Sequence, residues 1–153
     1  MAKETGVDHN KTVAHELSKV LADTFTIYQK THGYHWNVRG PNFRGLHLLL
    51  EEQYNEIWTS VDEIAERIRA LGEVAPMGSD AFGNLTSIKD GDPSLSADAM
   101  LKDLVAGNEA TVATLKKAAE MADEAGDIST NDLCTQRITA HEKHLWMLKA
   151  SLA

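Results

Sequence analysis

His35, His47, Glu51, Asp62 and Glu66 all fall inside the run HWNVRGPNFRGLHLLLEEQYNEIWTSVDEIAERIRALG. Two imidazoles and three carboxylates form a ligand set suited to iron or a similar first-row metal. An isolated histidine near a helix end is ordinarily packed or solvated, and an i,i+4 pair of acids is ordinarily surface charge. Here the acids are less easily dismissed. Asp62 and Glu66 repel one another at i,i+4 unless a cation or a solvated surface offsets them. They share their stripe with Trp58 and Ala65, which does not suit plain surface.

The spacing also decides which ligands can meet. From Pro41 to Leu71 the chain reads as one helix, because Leu46, Leu50, Ile57, Val61, Ile64, Ile68 and Leu71 recur at helical steps and mark a core face. At about 100° per residue, His47, Glu51, Asp62 and Glu66 share a second stripe roughly 130° from the first. His47 with Glu51, and Asp62 with Glu66, are i,i+4 neighbours able to converge. Glu51 and Asp62 are separated by about three turns, roughly 16 Å of helix, whereas ligands to one transition metal lie roughly 2 Å from it. An antiparallel copy of the same helix resolves the conflict. His47 and Glu51 of one chain then face Asp62 and Glu66 of the other, and two-fold symmetry makes two equivalent sites. The axis is expected near Glu56 and Ile57, with Tyr54, Trp58 and Ala65 supplying apolar contact area.

Three further long helices are expected. The first runs from Asn10 to Trp36, with Val13, Leu17, Val20, Leu21, Thr24, Tyr28 and Thr31 as its stripe and His35 continuing it. Arg39-Gly40-Pro41-Asn42 is a turn, and Gly72 ends the second helix. Glu73 to Leu95 is a long connection with room for a short helix at Ser79–Leu85. The next helix opens near Ser96, carries Leu101, Leu104, Val105, Asn108, Val112, Leu115 and Ala119 as its stripe, and stops at Gly126. The last starts at Ser129 or Thr130 and runs to about Leu152. Strand-like alternation and internal repeats are absent from the sequence. The expected fold is therefore all-α: one four-helix-bundle domain over residues 10–153 with a long crossover between its second and third helices, preceded by a short tail at residues 1–9.

The 153 residues suffice for one domain with a core. A net charge of −8 argues against attraction to nucleic acid or anionic membrane and for attraction of cations. A single cysteine, Cys134, excludes an internal disulfide framework and points to the cytoplasm. The first residues, MAKETGVDHNKTVAHEL, lack the apolar segment of a secretory signal, and no apolar run is long enough to span a membrane.

Other motifs carry less. HEKHL, at His141–Leu145, has its second histidine one residue too early for a zincin pattern, so His141 and His144 are expected as surface or interface side chains. No Glu-x-x-His pair exists, which removes the usual di-iron centre inside one bundle. P-loop and dinucleotide fingerprints are missing. His9, His15 and His32 have no evident partner, and Cys134 is expected as an inert buried thiol. Glu52, Glu56 and Glu63 form a third stripe on the second helix. It reads either as a solvated face, with Glu63 paired to Arg67, or as a cluster that collects metal ions.

The run HWNVRGPNFRGLH, followed by Glu51, DEIAER and LG, resembles the Dps family, DNA-binding proteins from starved cells, also called mini-ferritins. The match is strong from Lys30 to Gly72, and helix order, length and the KHLWMLKA ending agree over nearly the whole chain. The resemblance implies a ferritin-like subunit in a twelve-subunit shell. It implies an iron oxidase that oxidises Fe(II), preferring hydrogen peroxide, and stores Fe(III) mineral. On that resemblance, His35, His47 and Glu51 are ligands from one subunit and Asp62 and Glu66 from its two-fold partner. Glu51 stands where Asp also occurs in the family. Trp36 resembles the aromatic beside the family's site. Glu52, Glu56 and Glu63 become mineral-nucleating residues of an acidic cavity, and Asp127 and Asp132 resemble part of an acidic three-fold pore, although Gln136 replaces an acid found in some members. Some members bind DNA through lysine-rich tails. Here the first sixteen residues set Lys3 and Lys11 against Glu4, Asp8 and Glu16, so DNA binding is expected to be weak or absent near neutral pH. A DNA-compacting protein with secondary iron chemistry is the alternative.

Overall fold

The computed structural model describes residues 6–153. Five helices follow one another: α1 (Gly6–Asn37), α2 (Phe43–Ala70), α3 (Ser79–Leu85), α4 (Ala97–Glu124) and α5 (Ile128–Leu152). No strand occurs among the described residues. The four long helices pack as α1 against α2, α4 against α5 and α1 against α4. The short α3 lies on α1, within the crossover.

The ends of the helices follow local chemistry. Both α2 and α4 close through the same motif. At α2, Gly72 N–H reaches Arg69 O at 3.0 Å and Glu73 N–H reaches Ile68 O at 3.3 Å. At α4, Gly126 N–H reaches Asp123 O at 3.0 Å and Asp127 N–H reaches Ala122 O at 2.8 Å. This is the Schellman arrangement, which needs a left-handed residue after the cap. Gly72 at φ +92° and Gly126 at φ +70° supply it without a Cβ penalty. Ser96 caps α4 by accepting from Ala99 N–H at 3.2 Å.

Three boundaries differ from expectation. α1 starts at Gly6, so residues 6–9 of the expected tail are helical; no proline interrupts them. Residues 1–5 of that tail lie outside the described residues. α2 starts at Phe43, because Gly40 at φ +123° keeps Pro41 and Asn42 in the turn. α5 starts at Ile128, with Asp127 as the cap: its carboxylate accepts from Thr130 N–H at 3.0 Å.

Two apolar clusters fill the bundle. One holds Val13, Leu17, Leu21, Ile64, Ile68, Leu115 and Cys134; the other holds Ile27, Leu50, Ile57, Met100, Leu104 and Leu148. Gly107 allows α4 to approach α1 closely, since a Cβ there would sit 2.6 Å from Ile27 Cδ1. The crossover is tied down at two points. Buried Asp23 accepts from Thr86 Oγ1 at 2.7 Å, Ser87 N–H at 2.7 Å, Ser87 Oγ at 2.9 Å and Thr114 Oγ1 at 2.7 Å. Tyr34 donates to Asp103, which also pairs with buried Lys30 at 2.9 Å, and accepts from Asp92 N–H at 3.2 Å. Burial and these acidic neighbours push the Tyr34 phenol up to about 12. That clamp anchors the end of α1, one residue before His35.

Candidate metal centre

The structure brings His35 and His47 together across the α1–α2 turn. Their rings stack with centroids 3.7 Å apart and planes 12° from parallel. Each ring also grips the other's backbone: His35 Nδ1 donates to His47 O at 2.7 Å, and His47 Nδ1 donates to His35 O at 2.7 Å. A carbonyl oxygen only accepts, so both Nδ1 atoms carry the proton. In the neutral ring this tautomer leaves the lone pair on each Nε2, the form in which a histidine ligates a metal. His35 is buried, and His47 and Glu51 are half-buried.

Asp62 and Glu66 lie farther along the uninterrupted α2 and are exposed. The eleven residues from Glu51 to Asp62 put roughly 16 Å of helix between the two pairs. Among the described residues, no three His, Cys, Asp or Glu side chains form a group able to hold one ion. The carboxylates thus have the chemistry for hard cations but do not join the histidines within one chain.

The surface between the pairs is aromatic. Trp58 is 51% exposed and Tyr54 half-buried. Ile57 is fully buried in the core and Glu56 turns toward α5, so the level expected for a symmetry axis presents Trp58 and Tyr54 instead. Trp36, beside His35, is 66% exposed.

His32 is a residue the sequence reading missed. Its ring stacks on Tyr54 at 3.8 Å and 11°, lies 4.5 Å from Trp36, and its Nδ1 shares a hydrogen bond with Tyr28 Oη at 2.9 Å. Burial, and then the neighbouring His35, lower its pKa. The signal was present, because Tyr28, His32, His35 and Trp36 follow i, i+4, i+7, i+8 spacing and so share one face of α1. This face backs the Tyr54–Trp58 surface, with Tyr28 and Trp58 at 4.8 Å.

His141 and His144 are not surface side chains: they are 0% and 6% exposed. The expectation failed because polar groups on three helices receive them: Asn108 on α4, the half-buried Glu56 on α2 and Arg137 on α5. His141 Nδ1 donates to Asn108 Oδ1 at 2.8 Å, and His144 Nε2 donates to Glu56 Oε1 at 2.9 Å. Arg137 forms a bidentate pair with Glu56, with Nη2 donating to Oε1 at 2.9 Å and Nη1 to Oε2. Burial works to raise the Glu56 pKa, but the hydrogen bonds and charges of His144 and Arg137 outweigh it and hold the carboxyl well below its usual range. His141 is pushed down to about 3 by burial, helped by the charges of Arg137 and His144.

Glu56 is accordingly engaged in an internal ion pair, whereas Glu52 and Glu63 are exposed. Arg67 pairs with Asp127 at 2.9 Å rather than serving only its own helix face. Burial favours protonation of Asp127, but bonds from Thr130 and Arg67 prevail and lower its pKa. Asp132 is exposed and accepts from Gln136 Nε2 at 2.8 Å. Cys134 is fully buried, and burial followed by the Asp127 charge raises its thiol to about 11, as an inert thiol requires.

A family model described as a ferritin-like domain matches residues 14–153. DNA protection during starvation protein 2 of Bacillus anthracis is 38% identical over 143 residues, 94% of this chain and 98% of that protein. General stress protein 20U of Bacillus subtilis is 36% identical and covers 89% of this chain and 94% of its own length. Among solved structures, Dps from Thermosynechococcus elongatus superposes with a TM-score of 0.93 at 33% identity, covering 98% of this chain and 96% of that one. Dps from Vibrio cholerae, described as a member of a broad superfamily of ferritin-like diiron-carboxylate proteins, gives 0.92 at 31% identity, covering 96% and 92%. With the helix order, the long crossover and these matches over nearly its whole length, the chain belongs to the ferritin-like Dps family.

Proposed function

We propose that this protein oxidises Fe(II), with hydrogen peroxide as oxidant, and stores the Fe(III) product as mineral inside a cytoplasmic shell of twelve subunits. The observation that carries the reading is the reciprocal lock of His35 and His47. Stacked rings with both Nδ1 protons fixed on carbonyls are pre-set as Nε2 donors, which avoids the cost of ordering them when Fe(II) arrives. Glu51 lies one turn from His47 and adds a carboxylate.

Asp62 and Glu66 complete the ligand set from a two-fold partner whose α2 runs antiparallel. The exposed Trp58 and the half-buried Tyr54 supply the apolar area such a contact needs. Carboxylates favour the ferric product. Two Fe(II) ions each give one electron, and the O–O bond of one peroxide takes both, so no hydroxyl radical is released. Glu52 and Glu63 are the acids free to gather ferric ions at a mineral surface. Asp132 is the acid that would draw Fe(II) inward at a three-fold pore.

Protection of DNA, the role named for the Bacillus anthracis relative, would follow here from removing iron and peroxide. Direct binding is disfavoured by the net charge of −8. Adding Fe(II) and peroxide to the pure protein and sizing the product tests the proposal. Iron mineral should elute with a particle near twelve subunits. Protein eluting as an iron-free monomer would sink the reading.

A further inference from the structure

Between the last turns of α1 and the crossover segment at 90–93 lies a cavity of about 260 Å³ that the metal chemistry does not use. Its floor is buried: Thr26, Lys30 and Tyr34 follow one another at steps of four and so share one face of α1. Its rim is exposed and carries two flat rings, the indole of Trp36 and the pyrrolidine of Pro93. The space is ample for one aromatic ring, since an apolar cavity of roughly 150 Å³ already holds benzene.

Two glycines shape this space. Gly33 lies inside α1, where glycine is among the poorest helix formers. Neither of the usual reasons for a glycine applies to it: its φ is not positive, and a Cβ added there would meet no atom within 4 Å. Gly33 lines the cavity, so the room a side chain would take is room the cavity keeps. Gly91 acts differently. A Cβ there would sit 3.0 Å from Tyr34 Oη, so its absence lets the crossover close against α1 and wall the cavity.

The hydrogen-bonding groups on the floor select the ligand. Lys30 is 6% exposed, and its ammonium, with three N–H donors, has Asp103 at 2.9 Å as its one polar partner among the described residues. Thr26 donates its hydroxyl proton to Ala22 O at 2.8 Å, so toward the cavity its oxygen can only accept. Tyr34 Oη is already committed, donating to Asp103 and accepting from Asp92 N–H. Thr26 and Lys30 are i,i+4 neighbours, close enough for one small group to meet both. A hydroxyl does so, accepting from the ammonium and donating to the threonine oxygen. A carboxylate would leave Thr26 without a donor and add negative charge beside Asp103 and the rim residue Asp90. We infer that this cavity is a binding site for one small neutral aromatic ring bearing a hydroxyl, a ligand of the phenol class, with the hydroxyl held by Lys30 and Thr26 and the ring packed against Trp36. The inference is independent of the iron reading, because none of these residues belongs to the metal ligand set.

The probes are phenol and benzoate, which share a ring and differ in the polar group. Each is titrated calorimetrically into the assembled, metal-free full chain at neutral pH. Phenol should saturate one site per chain with a dissociation constant of about 1 mM or lower, and benzoate should bind at least about tenfold more weakly. Gly33→Leu fills the cavity from its floor. Its thermal midpoint should stay level or rise, because leucine is the better helix former, while phenol binding is lost. Thr26→Val keeps the side-chain shape, removes the acceptor and should weaken phenol about tenfold. The inference is overturned if phenol does not saturate one site per chain, if benzoate binds as tightly, or if Thr26→Val leaves phenol affinity unchanged. A folded Gly33→Leu chain that still binds phenol overturns it equally.

Discussion

Acid should weaken this protein well above the range in which its carboxylates protonate, and His141 is the reason. Its ring is fully buried, its Nδ1–H is fixed on Asn108 Oδ1, and its Nε2 faces the Arg137 guanidinium at 3.4 Å. A second proton would set one cation against another away from water, and the pKa is accordingly pushed down to about 3 from its ordinary value of 6.5. The sign follows from linkage. Below 6.5 the unfolded chain takes up a proton that the folded chain refuses until about 3, so stability falls as pH drops through that window. Moving from pH 7.5 to pH 5 should cost about 2 kcal/mol from this residue alone, or roughly 4–8 °C in the thermal midpoint of a chain this size. The depressed Glu56 pKa acts in a different window: its stabilising contribution is lost as pH falls below the ordinary glutamate value of 4.5, so measurements above pH 5 separate the two. The perturbation is His141→Gln, which keeps a donor for Asn108 and removes the titration. Thermal unfolding of both chains at several pH values from 7.5 to 5, with the assembly state checked at each, is the assay. The variant should be less stable at neutral pH by about 1–3 kcal/mol and should lose about 2 kcal/mol less on acidification. Parallel pH profiles for the two chains would refute the reasoning.

Two further outcomes are expected. Asp23→Ala leaves four hydrogen bonds without an acceptor; because Ser87 can turn to water, the loss should be about 3 kcal/mol. Denaturant unfolding reads that loss, and limited proteolysis should cut first near Thr86–Ile88. In a mobility-shift assay at roughly physiological salt and neutral pH, the protein should leave duplex DNA unshifted, since too few cations are available to displace its counterions.

Much of this architecture was legible because it rests on local rules. Apolar steps on α2 and α4, the Ser96 cap and the stops at Gly72 and Gly126 place their elements nearly where they occur, and Ser79–Leu85 is helical as expected. The family was legible from the run between Lys30 and Gly72. The polar centre was not. On α5 a histidine pair looked like a broken surface motif, because its burial depends on groups contributed by α2 and α4. Asn108 in an otherwise apolar stripe was the clue, since a buried amide requires partners. Glu56 was misjudged for the same reason: its stripe is acidic, but Arg137, far along the sequence, faces it. His32 went unpartnered because Tyr54, on which it stacks, lies on another helix.

The central claim is that function resides in the subunit contact, with His47 from one chain and Asp62 from the other. Co-assembly of two inactive variants tests it most directly. Chains with His47→Ala and chains with Asp62→Ala should each lose ferroxidase activity. In a mixed dimer, one site receives both defects and the other is intact. Random pairing at equal amounts should therefore restore about a quarter of wild-type activity, since half the dimers are mixed and half their sites are whole. Proven mixed assemblies with no recovered activity would contradict the account.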